Sequence, residues 1–492
     1  MGSARIIRVA SADDGVAATT LRDGIAALQA ELGVSAEFPP EVEEAAAAAA
    51  ADPRLPELDR TDLPFVTIDP ETSMDLDQAL HLERDGEGYV VHYAIADVAA
   101  FLAPGDPVDI EANKRGESLY AADAKIPLHP KVLSEDAASL LPDQVRPALL
   151  WTHKLDATGE GIDTFVERAL VRSRAKLSYD GVQKMFDGEG FGGLDKLDQR
   201  VGESLQLLKE IGEKRIALEA ARGGVNLPLR DQEISVVGEH WSLEYRDLLP
   251  VENWNAQISL LTGFAAADLM VYARVGLLRT LPEPDPRDVQ RLHRTARALG
   301  LEWPAEMLYP DFIRSLDGKN GKHAAMAIAC TRLLRGSGYA SFNGELPELT
   351  EHSALANEYM HVTAPLRRLI DRYAGEVCLA LCADQPVPDW VTRAFTTLPE
   401  TMRASSRTSG AYERGVVDLV EAGLLSERVG ETFAAVVVEV DDEDKRKGAI
   451  TVEEPAIEAR LTSAAALPLG EEVQVRLETA DVAARKVGFT IA

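Results

Sequence analysis

Three aspartates, Asp69, Asp75 and Asp77, lie within nine residues of one another beside a short run of strand-forming residues. If the segment from Asp75 to Asp77 is extended, these two carboxylates point to the same face, because side chains alternate along a strand. Carboxylate oxygens suit a hard divalent ion such as Mg²⁺, which keeps positions open for a substrate phosphate, whereas zinc favours Cys or His. The spacing therefore indicates a Mg²⁺ or Mn²⁺ site, and an Asp-rich turn that caps a helix or faces water is the alternative interpretation.

A second set of charged residues, Arg172, Arg174 and Lys176, alternates along a predicted strand. The alternation places the three cations on one face, where they could line a channel for the phosphates of single-stranded RNA. The whole chain has a net charge of −30, which by itself argues against a nucleic-acid partner. RNA binding therefore requires local access to clustered cations, and we expect it to weaken strongly with added salt.

The elements that must position these residues change in character along the chain. Residues 63–103 contain short apolar or alternating runs, split by the turn at residues 85–88, and these runs predict strands. Residues 184–424 are dominated by helical periodicity. Five short β-runs follow within about 65 residues, at 433–440, 449–452, 457–461, 472–477 and 487–491. We predict an α+β fold with a mixed sheet, many helices and a C-terminal five-stranded barrel of the oligonucleotide-binding type.

The N-terminal region, residues 1–58, is predicted to be small and helical. Residues 20–32 have apolar side chains at helical spacing, Gly33 can end that helix, and a second helix follows Pro39 and Pro40 over residues 41–51. A helix-turn-helix is one interpretation of this pair. The alanine tract at residues 45–51 favours a plain helix or tether.

An ordered series of motifs resembles the catalytic domain of the ribonuclease II / ribonuclease R (RNB) family of exoribonucleases. Residues 67–79 are similar to the signature TIDxxxxxDxDDA, and residues 359–371 are similar to YTHFTSPIRRYxD. Further matching blocks occur between them in the same order, at residues 94–98, 104–109, 111–120, 126–130, 133–134, 139–140 and 172–179. The resemblance covers about residues 63–425, and it implies that the C-terminal barrel is the S1 module of the family.

The resemblance implies a processive 3′-to-5′ exoribonuclease that hydrolyses single-stranded RNA to nucleoside 5′-monophosphates by metal-ion catalysis. Asp69, Asp75 and Asp77 are then the acidic centre, with Asp77 at the position tied most closely to hydrolysis. Gln78 departs from the pattern, because the family has a fourth aspartate there. An amide oxygen can still bind Mg²⁺ but adds no negative charge, so Gln78 is a candidate metal ligand with weakened affinity for the ion.

The resemblance also implies residues that contact RNA. Arg367 is expected to hold the scissile phosphate through its paired guanidinium donors. Arg368 is a further candidate, and either arginine could instead form an ion pair with Asp371. Tyr120 corresponds to an aromatic residue that stacks on the 3′-terminal base, although a buried core tyrosine is the alternative.

Two more positions in the RNA path can be compared with the family pattern. Glu413 corresponds to a glutamate near the RNA channel, although a helix-surface position is the alternative. The opposing phenylalanine of the family is missing, since Pro228 lies nearest its position. The stacking clamp therefore looks incomplete.

The domain boundaries that follow are residues 1–58 for the helical region, 59–427 for the RNB-like catalytic domain and 428–492 for the S1 module. From the 58 residues before the RNB-like domain we expect no paired cold-shock barrels of the kind found in long family members. The S1 module has more acidic than basic side chains and only Phe433 and Phe489 as aromatic residues, so its hold on RNA is expected to be modest.

Composition limits the remaining interpretations. The longest apolar stretches, such as residues 260–270, contain polar or charged residues, so we expect no membrane span and no signal peptide. Three cysteines in 492 residues predict a reducing compartment, with the cytoplasm as the expected location. No obligatory protein partner is evident. A different class of function, an RNA-binding scaffold with a decayed nuclease site, is consistent with Gln78, the missing phenylalanine and the acidic barrel.

Overall fold

The structure, a computed structural model, describes residues 16–120, 125–189, 198–237 and 240–492. The first 15 residues of the predicted N-terminal region lie outside the described residues. The helices are α1 (Val16–Leu32), α2 (Pro40–Ala51), α3 (Pro107–Arg115), α4 (Tyr179–Phe186), α5 (Gln199–Arg222), α6 (Pro250–Ala273), α7 (Pro286–Leu299), α8 (Tyr309–Arg314), α9 (Gly321–Cys330), α10 (Leu369–Cys382), α11 (Asp389–Ala394) and α12 (Leu398–Leu425).

Among the described residues, the strands form two barrels and four two-stranded sheets. They are β1 (Phe65–Asp69), β2 (Gln78–Asp85), β3 (Gly88–Ala96), β4 (Leu119–Tyr120), β5 (Lys125–Ile126), β6 (Val145–Leu155), β7 (Gly161–Ser178), β8 (Asp231–Val237), β9 (His240–Arg246), β10 (Val275–Thr280), β11 (Gly338–Asn343), β12 (Glu351–His352), β13 (Asn357–Glu358), β14 (Thr432–Val440), β15 (Lys447–Val452), β16 (Ile457–Thr462), β17 (Glu472–Asp481) and β18 (Lys486–Ile491). The predicted α+β class is therefore confirmed.

The first barrel is closed, in the order β1-β2-β3-β6-β7. β1 pairs with β7 in parallel and the other pairs are antiparallel, so the sheet is mixed as predicted. Closure was not predicted from the sequence. Buried side chains such as Ile68, Leu80, Tyr93 and Trp151 join this barrel to α5, α6 and α10 in one core cluster. Burial of that cluster holds the ends of β1 and β2, where the aspartates lie, in a defined position.

One helix among the described residues, α6, is long and apolar enough to cross a membrane by length and composition alone. Most of α6 is buried within the protein. Ile258, Leu261 and Met270 lie in the same core cluster as the first barrel, and α6 packs against α5 and α10. These contacts are those of a core helix in a globular domain.

The C-terminal strands close a second barrel, in the order β14-β15-β16-β18-β17. Phe433 and Phe489 contact each other edge to face inside it, with ring centroids 5.7 Å apart. The five-stranded barrel predicted from the β-runs is confirmed. The first strand begins at Thr432, and the proposed boundary at residue 428 stays a prediction.

The two N-terminal helices are present, but they do not support a helix-turn-helix unit. α1 packs against α12, where the backbone at Gly24 lies so close to Leu419 that a Cβ would be 2.6 Å from its side chain. α2 packs against α3 and buries Val42 and Ala46 in a different cluster. A helix-turn-helix needs its two helices to share one core, whereas these helices bury their apolar faces in separate parts of the protein.

A buried carboxyl group joins the second barrel to the rest of the chain. The Glu421 Oε1 atom accepts hydrogen bonds from Gln232 Nε2 and from the backbone N–H of Glu458, both at 2.8 Å. Burial raises the pKa of Glu421 to about 8. Between the ordinary pKa of a glutamate and pH 8, the folded protein therefore binds more protons than the unfolded chain, and its stability falls as the pH rises through this range.

Glu421→Gln is expected to remove this penalty. The carboxamide oxygen can still accept both hydrogen bonds, and no charge is buried at high pH. We expect the free energy of unfolding to rise by roughly 2–4 kcal/mol at pH 9 and to change little at pH 5. Urea unfolding at the two pH values measures the difference, with the exposed Glu427→Gln as the control. Parallel pH profiles for the parent and Glu421→Gln would contradict the assignment.

Candidate active site

The acidic segment follows the end of β1 and precedes β2. Asp69 is the last residue of β1, and Asp75 and Asp77 lie on either side of Leu76, which is completely buried. The Leu76 N–H donates to Ser139 Oγ at 2.9 Å, and the same hydroxyl donates to the Met74 carbonyl at 2.6 Å. This anchor turns Leu76 into the core and leaves its two acidic neighbours on the other side.

The neighbouring Asp75 acts electrostatically on both Asp69 and Asp77. Burial and the neighbouring Asp75 raise the pKa of Asp69 to about 7. Burial raises the pKa of Asp77 well above its ordinary range, and Asp75 adds to the rise. Arg367 acts in the opposite direction on both pKa values. Two acids whose pKa values are raised by burial and by a third carboxylate indicate a site that favours an added cation.

The convergence of these acids is incomplete. In the described parts of the chain, no three Asp, Glu, His or Cys side chains come close enough together to hold a metal ion. The Asp75 carboxylate already has a cationic partner, because Lys125 Nζ lies 2.9 Å from its Oδ1 atom and 3.0 Å from Glu135 Oε1. Lys125 and Glu135 were not identified as site residues from the sequence motifs.

Gln78, predicted as a metal ligand, belongs to a different network. Its Oε1 atom accepts hydrogen bonds from the Tyr93 hydroxyl at 2.5 Å and from Ser259 Oγ at 3.4 Å. Its Nε2 atom donates to the Thr363 carbonyl at 2.7 Å. Both lone-pair positions of the oxygen are therefore used within the protein. The amide of Gln78 is thus bonded within the protein and tied to the loop that holds Arg367, and its role as a metal ligand stays a prediction.

Asp77 contacts the loop that carries Arg367, although the two segments are far apart in the sequence. Leu366, the residue before Arg367, lies 289 positions after Asp77. The Asp77 Oδ1 atom accepts a hydrogen bond from the Leu366 N–H at 2.8 Å. Its Oδ2 atom lies 3.8 Å from Arg367 Nε. The Arg367 side chain is 38% exposed, so its guanidinium contacts the acidic centre and still faces solvent.

Arg368 has a structural partner in Asp371. The guanidinium donates from Nε and Nη2 to the two carboxylate oxygens at 2.9 and 2.8 Å, and Asp371 also accepts from the Ala364 N–H at 2.7 Å. Of the two arginines, Arg368 therefore forms the ion pair with Asp371. The pair fixes the turn before α10 and leaves Arg367 available at its tip.

A cavity of about 790 Å³ lies next to this turn. Four of the predicted RNA contacts line it together, namely Tyr120, Arg367, Arg368 and Glu413. Pro228, which stands nearest the position of the missing phenylalanine, also lines it. Other aromatic and cationic side chains in its wall are Arg279, Arg314, Tyr339, Tyr359 and His361. The cavity is therefore lined by aromatic rings and guanidinium groups together, a combination that suits single-stranded nucleic acid.

Acidic side chains interrupt this basic wall. Glu413 accepts a hydrogen bond from Ser409 Oγ at 3.2 Å. Burial raises the pKa of Glu117, another lining residue, to about 7, and Glu413 adds to the rise while Arg368 opposes it. Glu117 was not identified as a site residue from the sequence. Its position in the motif at residues 111–120 was the signal that could have identified it. The cavity is thus of mixed charge rather than uniformly positive.

The stripe on β7 is placed elsewhere. Arg172, Arg174 and Lys176 alternate with the buried Val171, Ser173 and Leu177 or the half-buried Ala175, as the strand pattern predicted. None of the three lines the cavity that contains Arg367. Arg174 donates to the Thr61 carbonyl, and Lys176 Nζ contacts the Glu71 and Ser73 carbonyls. Lys176 therefore holds the backbone between Asp69 and Asp75, and Arg174 holds the chain before β1. Contact of the stripe with RNA stays a prediction.

Comparison with known proteins agrees with the motif series. The family model for the RNB domain matches residues 58–380, and the model for the RNase II-type exonuclease C-terminal S1 domain matches residues 431–492. Ribonuclease R of Mycoplasma genitalium is 26% identical over 391 residues, which are 77% of this chain and 53% of that protein. The chain thus spans about half the length of this curated relative.

Solved structures show the same fold. The structure of Mycoplasma genitalium RNase R in complex with ribose methylated single-stranded RNA matches with a TM-score of 0.85 at 21% identity, over 96% of this chain and 78% of that chain. Yeast Ssd1, described as a pseudonuclease, matches with a TM-score of 0.68 at 14% identity, over 90% of this chain and 55% of that one. At these identities the likeness concerns the fold alone, which is therefore shared by nucleases and by a pseudonuclease.

Proposed function

The chain belongs to the RNB-domain family, and from this premise we propose that it is a 3′-to-5′ exoribonuclease that hydrolyses single-stranded RNA processively to nucleoside 5′-monophosphates. The observation that carries the proposal is the contact between Asp77 and Arg367 at the edge of the cavity that also contains Tyr120. A phosphodiester placed beside Arg367 would lie next to the acidic centre. A base on the 3′ side could then stack on Tyr120.

The acidic centre suits a divalent cation of the Mg²⁺ or Mn²⁺ type. Asp69 and Asp77 are the residues that would hold it, since both are carboxylates whose pKa values are raised by burial. Such an ion, when bound, polarises a phosphoryl oxygen and lowers the pKa of water. Neutralising the buried acids with a cation also removes the electrostatic strain between them and Asp75.

Arg367 binds the scissile phosphate and transfers no proton. Its guanidinium presents parallel donors to two phosphate oxygens, and the contact with Asp77 orients it toward the reacting group. The ion pair of Arg368 with Asp371 and the hydrogen bond from Gln78 to the Thr363 carbonyl hold this turn in place. The Arg367 guanidinium is therefore positioned before RNA binds. A prepositioned charge stabilises the pentacovalent phosphate more than the ground state.

A change at Gln78 tests the link between this turn and the acidic centre. Gln78→Asp adds a carboxylate, so we expect the Mg²⁺ concentration for half-maximal hydrolysis to fall by about threefold or more. The same change removes the donor to the Thr363 carbonyl, so we expect the maximal rate to fall by about two- to fivefold. Gln78→Ala, which loses the donor without adding charge, should lower the rate alone. A higher Mg²⁺ requirement for Gln78→Asp would contradict this account.

The proposed activity is tested with RNA labelled at one end. With Mg²⁺ present, 5′-labelled single-stranded RNA should shorten as a ladder, and 3′-labelled RNA should release a labelled mononucleotide from the start. A chelator should stop both reactions. Internal fragments without a ladder would refute the exonuclease assignment.

The second candidate function is an RNA-binding scaffold with a decayed nuclease site. The ion pair between Lys125 and Asp75 and the bonded amide of Gln78 favour it, since both reduce the capacity of the site for metal ions. RNA that binds at low salt but remains intact with Mg²⁺ or Mn²⁺ would select this function.

In either case three cysteines without a disulfide among them agree with the cytoplasmic location that we propose.

A further inference from the structure

A lysine lies inside the acidic centre. Lys125 begins the short strand β5, whose pairing with β4 sets it opposite Tyr120. Its ammonium group lies 2.9 Å from Asp75 Oδ1 and 3.0 Å from Glu135 Oε1. The side chains of Lys125, Asp75 and Glu135 are only 17%, 13% and 23% exposed. The ion pairs are therefore partly shielded from water and stronger than pairs on an open surface.

Glu135 is the second carboxylate partner of the Lys125 ammonium group. It lies in the helical turn Leu133–Ala137, and the hydroxyl of the adjacent Ser134 donates to the His129 carbonyl at 3.1 Å. Two carboxylates on separate segments therefore position one ammonium group. A lysine with two such partners has a defined place in the site rather than the freedom of a surface side chain.

Asp75 acts electrostatically on both other aspartates. It is the acidic neighbour that raises the pKa of Asp69 as well as that of Asp77. An ammonium group bound to Asp75 consequently lies next to the space in which these carboxylates would share metal ions. A divalent ion that used Asp75 as a ligand would have to approach this ammonium group, and like charges in a partly buried site repel strongly.

The other candidate oxygen is also engaged. Gln78 Oε1 accepts two hydrogen bonds, so a second ion cannot use it without breaking the network to Tyr93 and Ser259. Lys125, Arg367 and Lys176 already oppose the negative charge of the aspartates. Among the described residues, Asp69 and Asp77 are the carboxylates of this centre that form no ion pair with a lysine.

We infer that Lys125 is a built-in cation that occupies Asp75, and that the acidic centre binds one divalent ion where a two-ion nuclease site binds two. The inference rests on the proposed function only in taking Mg²⁺ or Mn²⁺ as the ion. Lys125 supplies part of the positive charge that a second ion would bring, and it does so without a metal. It is a positioning residue for Asp75, and it sets the number of ions that the centre accepts.

Metal binding tests this without any reaction. Isothermal titration of the full chain with Mn²⁺, together with electron paramagnetic resonance of the free ion, gives the number of sites and their affinities. We expect one Mn²⁺ per parent chain at the acidic centre, a site that Asp77→Asn removes. Lys125→Met, which keeps the length of the side chain but not its charge, should bind a second Mn²⁺ or bind the first at least tenfold more tightly.

Two lysine controls separate a local effect from a general change in charge. Lys131→Met removes an exposed charge six residues away and should leave Mn²⁺ binding unchanged. Lys176→Met removes a cation that acts on Asp69 and has no ion pair with Asp75. Because Lys176 also contacts the Glu71 and Ser73 carbonyls, it should change the affinity for Mn²⁺ but add no site. Two Mn²⁺ ions at the parent centre, or unchanged binding by Lys125→Met, would overturn the inference.

Folding and activity are followed separately. If Lys125→Met fails to fold by circular dichroism, Lys125→Gln provides the same neutralisation with a polar side chain and the same expected gain in Mn²⁺ binding. Absence of RNA hydrolysis by the parent with any metal would refute the proposed nuclease and leave the ion count intact. Hydrolysis by a parent chain that binds two ions would refute the ion count and leave the nuclease intact.

Discussion

Asp77→Asn is expected to abolish RNA hydrolysis, by at least about 10²–10³-fold in rate, while RNA binding stays within about threefold of the parent. The Asp77 Oδ1 atom accepts the Leu366 N–H, and an asparagine oxygen can accept the same hydrogen bond. The turn that presents Arg367 therefore keeps its anchor. What is lost is the negative charge that would hold a divalent ion and orient the guanidinium at 3.8 Å.

The measurement combines single-turnover hydrolysis of labelled RNA with binding of the same RNA in the presence of a chelator. Asp85→Asn, an exposed change at the far end of β2, is the matched control and should behave as the parent. Asp77→Ala loses both the charge and the acceptor, so it should weaken RNA binding as well. If Asp77→Asn loses RNA binding and hydrolysis equally, the role of Asp77 is to hold the turn that carries Arg367, and it takes no part in the hydrolytic reaction.

Arg367→Lys is expected to slow hydrolysis by about ten- to a hundredfold with a smaller loss of RNA affinity, since each tenfold corresponds to about 1.4 kcal/mol of transition-state stabilisation. Lysine keeps the positive charge in the cavity. It loses the paired planar donors that match two phosphate oxygens. Arg367→Ala, which also removes the charge, should reduce both the rate and the affinity.

Two other arginines serve as comparisons. Arg393→Lys changes an exposed arginine outside the cavity and should leave the rate unchanged. Arg368→Lys breaks one of the two hydrogen bonds to Asp371 in a buried pair, so its main effect should be a lower free energy of unfolding. If Arg367→Lys hydrolyses RNA at the parent rate while Arg367→Ala loses only affinity, Arg367 is a simple positive charge in the cavity.

Residue periodicity along the chain predicted much of the fold. The five β-runs after residue 429 identified the second barrel, because alternation of buried and exposed positions is a property of each strand by itself. The strands around residues 65–96 were also identified. Closure of the first barrel was not, since the parallel pairing of β1 with β7 joins residues more than 100 positions apart.

The motif series also named four residues that the fold brings into one cavity, Tyr120, Arg367, Arg368 and Glu413. Sequence alone left the partner of Asp371 undecided between two adjacent arginines. Both are close enough along the chain, and only the direction of each side chain at the start of α10 separates them. The structure pairs Arg368 with Asp371 and leaves Arg367 with Asp77.

Sequence by itself thus determined which residue types could do phosphate chemistry and on which kind of element each lies, because spacing and side-chain chemistry are local properties. Only the tertiary structure decided how these groups are used. It brings Lys125 to Asp75 and Glu135, and it bonds Gln78 to Thr363 across 285 residues. Such contacts depend on long-range packing, and they determine whether a carboxylate or amide oxygen remains free for an ion or is already bound within the protein.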